Sequence, residues 1–303
     1  MRKAVLALLV LVAGAAAAVL YAAWRHVVPD RDGPPTDPPG RDPQEVRFHS
    51  RDGTPLFGLF LPGRRRHPGV VLCHGYHRSL AEPFDLGLRL NREGYHVLLF
   101  DFRGCGRSGG RFTTLGYKET WDVLAAVDCL KARLAGAPIG ILGISMGAAA
   151  AIMAAAQTQD VRALVLDSPY ADLEGVMRRQ IPDFLPFRWL VPFGWLSVFA
   201  GQLLSGGRLH GARPVDHIAR IAPRPVLFIW GERERFIPHE QIGELFEAAG
   251  QPKEMWLAPG SDHAVARLDY PKEYERRVLN FFDRWLREHH RRPHPAHPEP
   301  VEG

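Results

Sequence analysis

The sequence predicts an α/β architecture, a mostly parallel sheet with helices on both faces, and three observations carry that expectation. Short apolar runs such as "VVLC" (70–73), "HVLLF" (96–100) and "VLFIW" (226–230) recur along the chain. They lack the polar alternation of a strand with one wet face, so they read as strands buried on both sides. Between them lie stretches at helical spacing, and strands that alternate with helices join as parallel crossover units.

The elements follow in order. Arg2 and Lys3 precede an uncharged run of 21 residues from Ala4 to Trp24. As a helix that run is long enough for a bilayer core of about 30 Å. It exceeds the apolar core usual in a cleaved signal peptide, and Tyr21 and Trp24 suit a membrane interface. Residues 1–28 are therefore read as an anchor, with signal peptide as the alternative. The basic start places the N-terminus in the cytoplasm and the rest on the extracytoplasmic side; cleavage would instead make the protein secreted. Residues 29–43, dense in Pro, Gly and Asp, read as a stiff linker that lifts the domain off the membrane.

The globular domain is expected over 44–290. Glu45–His49 and Leu56–Leu61 flank "RDGT", the pattern of an antiparallel hairpin. Strands are expected at Val70–Cys73, His96–Phe100, Ile139–Gly143, Ala163–Leu166, Val226–Trp230 and Met255–Leu257. Helices are expected at Pro83–Arg92, Tyr117–Leu134, Met146–Thr158, His239–Ala249 and Pro271–His289. The segment at about 172–214 breaks the rhythm. It carries Phe184, Phe187, Trp189, Phe193, Trp195 and Phe199 among prolines. Too long for a crossover and too aromatic for an exposed loop, it reads as a helical cap over a pocket, with possible membrane contact. The Pro-rich tail, 291–303, reads as disordered.

Composition narrows the function classes. The net charge is +5, and the basic residues are scattered rather than set in a stripe with interleaved aromatics, so no nucleic-acid partner is expected. Three cysteines without metal-like spacing, Cys73, Cys105 and Cys129, read as buried free thiols. No His-Glu-x-x-His or Cys/His cluster calls for a metal, and no cofactor is expected. Gly104–Gly109 fits a dinucleotide-binding spacing, but "GRFTTLG" intervenes before the next helix. A tight turn locked by Asp101 and Arg103 is the better reading.

"GISMG", Gly143 to Gly147, joins an apolar strand to an alanine-rich helix. This is G-x-S-x-G in the strand-turn-helix setting that gives the motif meaning. A sharp turn lifts Ser145 out of the sheet, the glycines let neighbouring backbone pass, and the N–H of Met146 is free to meet an oxyanion.

With that motif in place, residues 45–290 resemble an α/β-hydrolase. "VVLCHGYHRS" is similar to the family's oxyanion segment, "LLFDFRGCGRSGG" to its turn after the fourth strand, and "LVLDSPYADL" to the lead-in to the cap of its esterase and serine-aminopeptidase-like branch. The resemblance implies that the backbone N–H of Tyr76 is a second oxyanion donor. It also places the base at His263, in "GSDHA" after the last strand, as the order serine, acid, histidine requires. His74 is expected to shape the oxyanion loop, and Asp262 sits too close in sequence to His263 to orient it.

The acid is the open point. The family places it three residues after the glycine ending the penultimate strand, which here is Gly231. That position holds Glu234, where most relatives carry Asp, in the stretch "WGERERFIP". Glu232 falls off register. Asp167, after the strand 163–166, is the alternative, because some relatives place the acid there.

The expected chemistry is ester cleavage through an acyl-enzyme, on a small-molecule ester with an apolar acyl group, lipids included. A serine peptidase of the same fold and a non-catalytic, membrane-tethered binding protein stand as alternatives. Oligomeric state is not legible.

Overall fold

The computed structural model describes residues 2–29, 43–185 and 187–288. Most of the linker at 29–43 and all of the tail at 291–303 lie outside them. The helix α1 (Arg2–Val27) precedes the hairpin β1 (Gln44–His49) and β2 (Pro55–Leu61). Then come β3 (Gly69–Cys73), α2 (Phe84–Arg92), β4 (His96–Phe100), α3 (Glu119–Lys131), β5 (Ile139–Ile144), α4 (Met146–Ala155) and β6 (Val161–Asp167). The region expected as a cap holds α5 (Leu173–Phe184) and α6 (Val191–Ser205). The chain closes with α7 (Val215–Ile218), β7 (Val226–Gly231), α8 (His239–Ala248), β8 (Lys253–Ala258), α9 (Ala266–Asp269) and α10 (Pro271–Phe282).

The eight strands form one sheet in the order β1-β2-β4-β3-β5-β6-β7-β8. The β1–β2 and β2–β4 pairs are antiparallel, and every pairing from β4 through β8 is parallel. The parallel strands β3, β5 and β7 are buried along their whole length, which is why their sequences are continuous apolar runs. Two cores result, one on each face.

Expected boundaries move where side chains intervene. The helix expected at 117–134 starts at Glu119, because the buried Glu119 carboxylate accepts from the N–H groups of Thr114 and Gly116 and holds the preceding residues as a turn. The helix expected to end at His289 is α-helical to Phe282, then continues as a π-helix over Asp283–Glu288. The glycine-rich loop after β4 is a tight turn. Asp101 accepts from Leu80 and Arg107 N–H at 2.8 and 2.9 Å, and Arg103 pairs with Asp122 at 2.6 Å and Asp52 at 2.7 Å.

The linker expected at 29–43 lies almost wholly outside the described residues. The helix α1 before it packs along α6 and buries Ala23 and Val27. The Thr113 N–H donates to the Val27 carbonyl at 2.8 Å, and the Tyr76 hydroxyl donates to the His26 carbonyl at 2.7 Å. The reason is apolar: α6 is itself a hydrophobic helix, and small residues let the two backbones approach. A Cβ added at Gly201 would lie 3.1 Å from Val27. The outer stretch of α1, Val5 to Val12, is exposed and apolar, and the helix is long and hydrophobic enough to cross a bilayer.

Candidate active site

Three parallel strands, β5, β7 and β8, deliver three side chains to one edge of the sheet. Ser145 sits between β5 and α4 at φ 51°, a left-handed conformation that costs about 1–3 kcal/mol for a residue with a Cβ. The surroundings hold it there. Its N–H donates to the Asp167 carbonyl at 2.7 Å, and its carbonyl accepts from Ala148 and Ala149 at 3.0 Å. The flanking glycines are steric necessities. A Cβ at Gly143 would lie 2.6 Å from the Ala148 backbone, and one at Gly147 would lie 2.4 Å from the His74 carbonyl oxygen.

His263 lies in the loop after β8, and its Nε2 is 2.9 Å from Ser145 Oγ. Its Nδ1 is 2.8 Å from Glu234 Oε2. With Nδ1 protonated, the ring donates to the carboxylate and Nε2 is left to accept from the serine hydroxyl. The Phe236 ring packs against the imidazole, with centroids 4.9 Å apart.

Glu234 is buried, in the loop after β7. Its Oε1 accepts from the N–H groups of Phe236 and Ile237 at 2.8 and 2.9 Å, so one oxygen is anchored to its own loop while the other faces the histidine. The loop fits closely: a Cβ at Gly231 would lie 2.4 Å from the Ser261 carbonyl of the histidine loop. Glu232 points away, exposed, and accepts from the Gly260 N–H. Asp262 pairs with Arg235 rather than the imidazole, and its Oδ1 also accepts from the His263 N–H at 2.8 Å.

Asp167 is fully buried at the end of β6, but its oxygens meet other groups. The Tyr274 hydroxyl donates to Oδ2 at 2.9 Å and the Ser168 hydroxyl to Oδ1 at 3.0 Å. Burial pushes its carboxyl above the usual carboxylate range. Its link to the histidine loop is indirect: Ser168 Oγ accepts from the Ala264 N–H at 3.0 Å.

Tyr76 and Met146 line the same cavity of about 280 Å³ as Ser145 and His263. Met146 is the first residue of α4, so its N–H has no carbonyl one turn earlier in the helix. The Tyr76 segment is held by His74, whose Nδ1 donates to the Gly75 carbonyl at 2.7 Å while Nε2 accepts from Phe102 N–H at 3.0 Å. Burial drives the His74 pKa down to about 4, consistent with that neutral tautomer.

Sequence reading missed the carboxylate on the other side of this segment. Glu82 Oε2 accepts from the Gly75 N–H at 2.6 Å, and Oε1 accepts from Arg267 at 3.1 Å. Arg267 also donates to the Ala264 carbonyl, so one ion pair clips the oxyanion segment to the histidine loop. Only the proximity of Glu82 to "CHGYHRS" hinted at it. Leu115, Leu173, Val176, Met177 and Phe236 give the cavity an apolar wall, and Arg78 and Tyr170 also line it.

An elbow at the carboxyl ends of a parallel sheet, with the helices α5 and α6 inserted after β6, defines a hydrolase of the α/β class. Residues 65–193 match the family model described as serine aminopeptidase, S33. The chain is 30% identical to YqkD of Bacillus subtilis over 71% of this chain and 70% of that one. It is 29% identical to human ABHD12B, over 76% of this chain and 59% of that one. Among solved structures, an esterase of Pyrococcus furiosus superposes with a TM-score of 0.70 at 28% identity, covering 85% of this chain and 99% of that one. The chain belongs to the α/β-hydrolase superfamily, in its esterase and serine-aminopeptidase-like branch.

Proposed function

We propose that this hydrolase cleaves carboxylic esters through an acyl-enzyme, with Ser145 as nucleophile, His263 as base and Glu234 as orienting acid. The reading rests on one observation above others: the unbroken relay of Ser145 Oγ, His263 Nε2 at 2.9 Å, and Glu234 Oε2 at 2.8 Å from Nδ1. The serine hydroxyl passes its proton to His263 as Oγ attacks the ester carbonyl. The carbonyl oxygen takes the negative charge and is met by the N–H groups of Met146 and Tyr76. Collapse breaks the ester bond, and His263 returns the proton to the departing alcohol. Water, deprotonated by the same imidazole, then attacks the acyl-serine and releases the acid. Glu234 fixes the tautomer and stabilises the imidazolium that forms twice in the cycle.

The ester is favoured over a peptide amine by the cavity walls. Of the described residues lining the cavity, Glu82 is the one carboxylate, and it is committed to Gly75 and Arg267, leaving no free anion for a substrate ammonium. The segment at about 172–214 acts as the cap. Residues 1–28 anchor the domain, with the active site on the extracytoplasmic side. The test is direct. A fluorophosphonate probe should label wild type and spare Ser145→Ala, and p-nitrophenyl butyrate should be hydrolysed faster than aminoacyl-nitroanilides. Equal labelling of the two proteins refutes the serine mechanism, and turnover confined to the anilides makes the enzyme a peptidase.

A further inference from the structure

The membrane helix is part of the wall of an apolar path that ends at Ser145. A second cavity, of about 260 Å³, adjoins the one that holds the serine. The two share Tyr76, Leu115, Leu173, Met177 and Phe236 as lining residues. Its far wall is formed by His26 and Val27 of α1 with Ile181 and Val198 of the cap helices. Beyond it, a groove of about 480 Å³ runs between α1 and α6. It shares His26 and Ile181 with the second cavity. Ala15, Ala18, Val19 and Ala22 form its α1 side, and Trp189, Phe193 and Gly194 line the other.

The placement of this groove along α1 identifies what enters it. The apolar run spans Ala4 to Trp24, so Ala15 to Ala22 lie in its second half, in the leaflet next to the catalytic domain. The groove therefore opens where lipid acyl chains lie, not into water. The neighbouring surface agrees: Trp189, Phe199 and Leu203, beside or on α6, are 69%, 55% and 71% exposed, which suits hydrocarbon. At the inner end, Met177 is half-buried at the junction, and its unbranched side chain can swing without a backbone change.

We infer that the substrate is a membrane-resident lipid ester. Its acyl chain enters sideways from the domain-side leaflet, between α1 and α6, and lies in the second cavity while its carbonyl meets Ser145. This deepens the ester-hydrolase reading and rests on it for the chemistry, but the route is a matter of binding and can be tested without turnover.

Two experiments on the full chain in lipid nanodiscs decide it. The first measures 4-methylumbelliferyl palmitate, dissolved in the bilayer, against the acetate in water. Ala18→Trp and Ala22→Trp, which fill the groove, should each lower the palmitate-to-acetate ratio about tenfold or more. Leu9→Trp, on the same helix but outside the groove, should keep the wild-type ratio. A ratio unchanged in both groove variants, or lowered equally in Leu9→Trp, overturns the route. The second uses Ser145→Ala protein and a phospholipid with a diazirine on its acyl chain. Crosslinks at Met177, Ile181 or Phe236 are expected, and crosslinks confined to residues 5–12 overturn the proposal. Such crosslinks in a protein whose wild type resists the fluorophosphonate would sink the serine mechanism and leave the lipid route standing.

Discussion

The loops after β6 and β7 begin from the same situation and end in different roles. Their strands are adjacent and parallel, and each loop carries a buried carboxylate, Asp167 or Glu234. Either could have served His263. Asp167 spends its two oxygens on side chains, the hydroxyls of Tyr274 and Ser168. Glu234 spends one on two backbone N–H groups of its own loop and keeps the other for the imidazole. Burial near a histidine is thus not enough. An orienting acid needs donors that hold it without using the oxygen that faces the ring. The extra methylene of Glu lets the side chain reach the imidazole while folding back onto Phe236 and Ile237.

The sharpest attempt to break this contrast is Glu234→Gln. It removes the charge and keeps the shape, and kcat should fall by about 10³–10⁴-fold in an ester assay. A near-wild-type rate would transfer the role to Asp167. Glu234→Asp comes next. The shorter side chain cannot satisfy both the loop N–H groups and Nδ1, so a loss of about ten- to a hundredfold in kcat is expected. An undiminished rate would mean that the loop adapts to the shorter side chain.

The β6 side should respond in stability rather than turnover. Tyr274→Phe strips Asp167 Oδ2 of its donor and leaves only Ser168 on Oδ1, and should lower unfolding free energy by about 1–3 kcal/mol in a denaturant titration. Turnover should change by less than about tenfold. The smallest effect is expected of Asp167→Asn, with ester turnover within about threefold of wild type. Its stability has a defined pH dependence. Burial raises the Asp167 pKa above its ordinary value, so the contribution is whole below that value and is lost as pH rises through the folded one. Asn does not ionise, so the melting temperature of the variant should gain on wild type as pH rises above the ordinary carboxylate range. A variant that loses ground to wild type as pH rises would reverse the sign and sink the assignment.

Much of the fold was legible because its signals are local. Continuous apolar runs mark strands buried on both faces, and G-x-S-x-G between a strand and a helix marks the elbow. Register from Gly231 singled out Glu234 and chain order singled out His263, and these are the two side chains that meet at 2.8 Å. Glu82 was not legible, because nothing in its own neighbourhood requires a carboxylate. Its role comes from Arg267, 185 residues away.

The sequence by itself determined the alternation of strands and helices, the serine and the narrow choice between two carboxylates. Those features depend on spacings of a few residues, which backbone geometry reads directly. The tertiary structure decided which carboxylate faces the imidazole, and that the apolar N-terminal helix lies against α6. Both depend on where distant segments meet. Ser145 and His263 are separated by 118 residues, and α1 meets α6 across most of the chain. Such meetings follow from how the whole set of apolar faces is buried together, which no single stretch of sequence encodes.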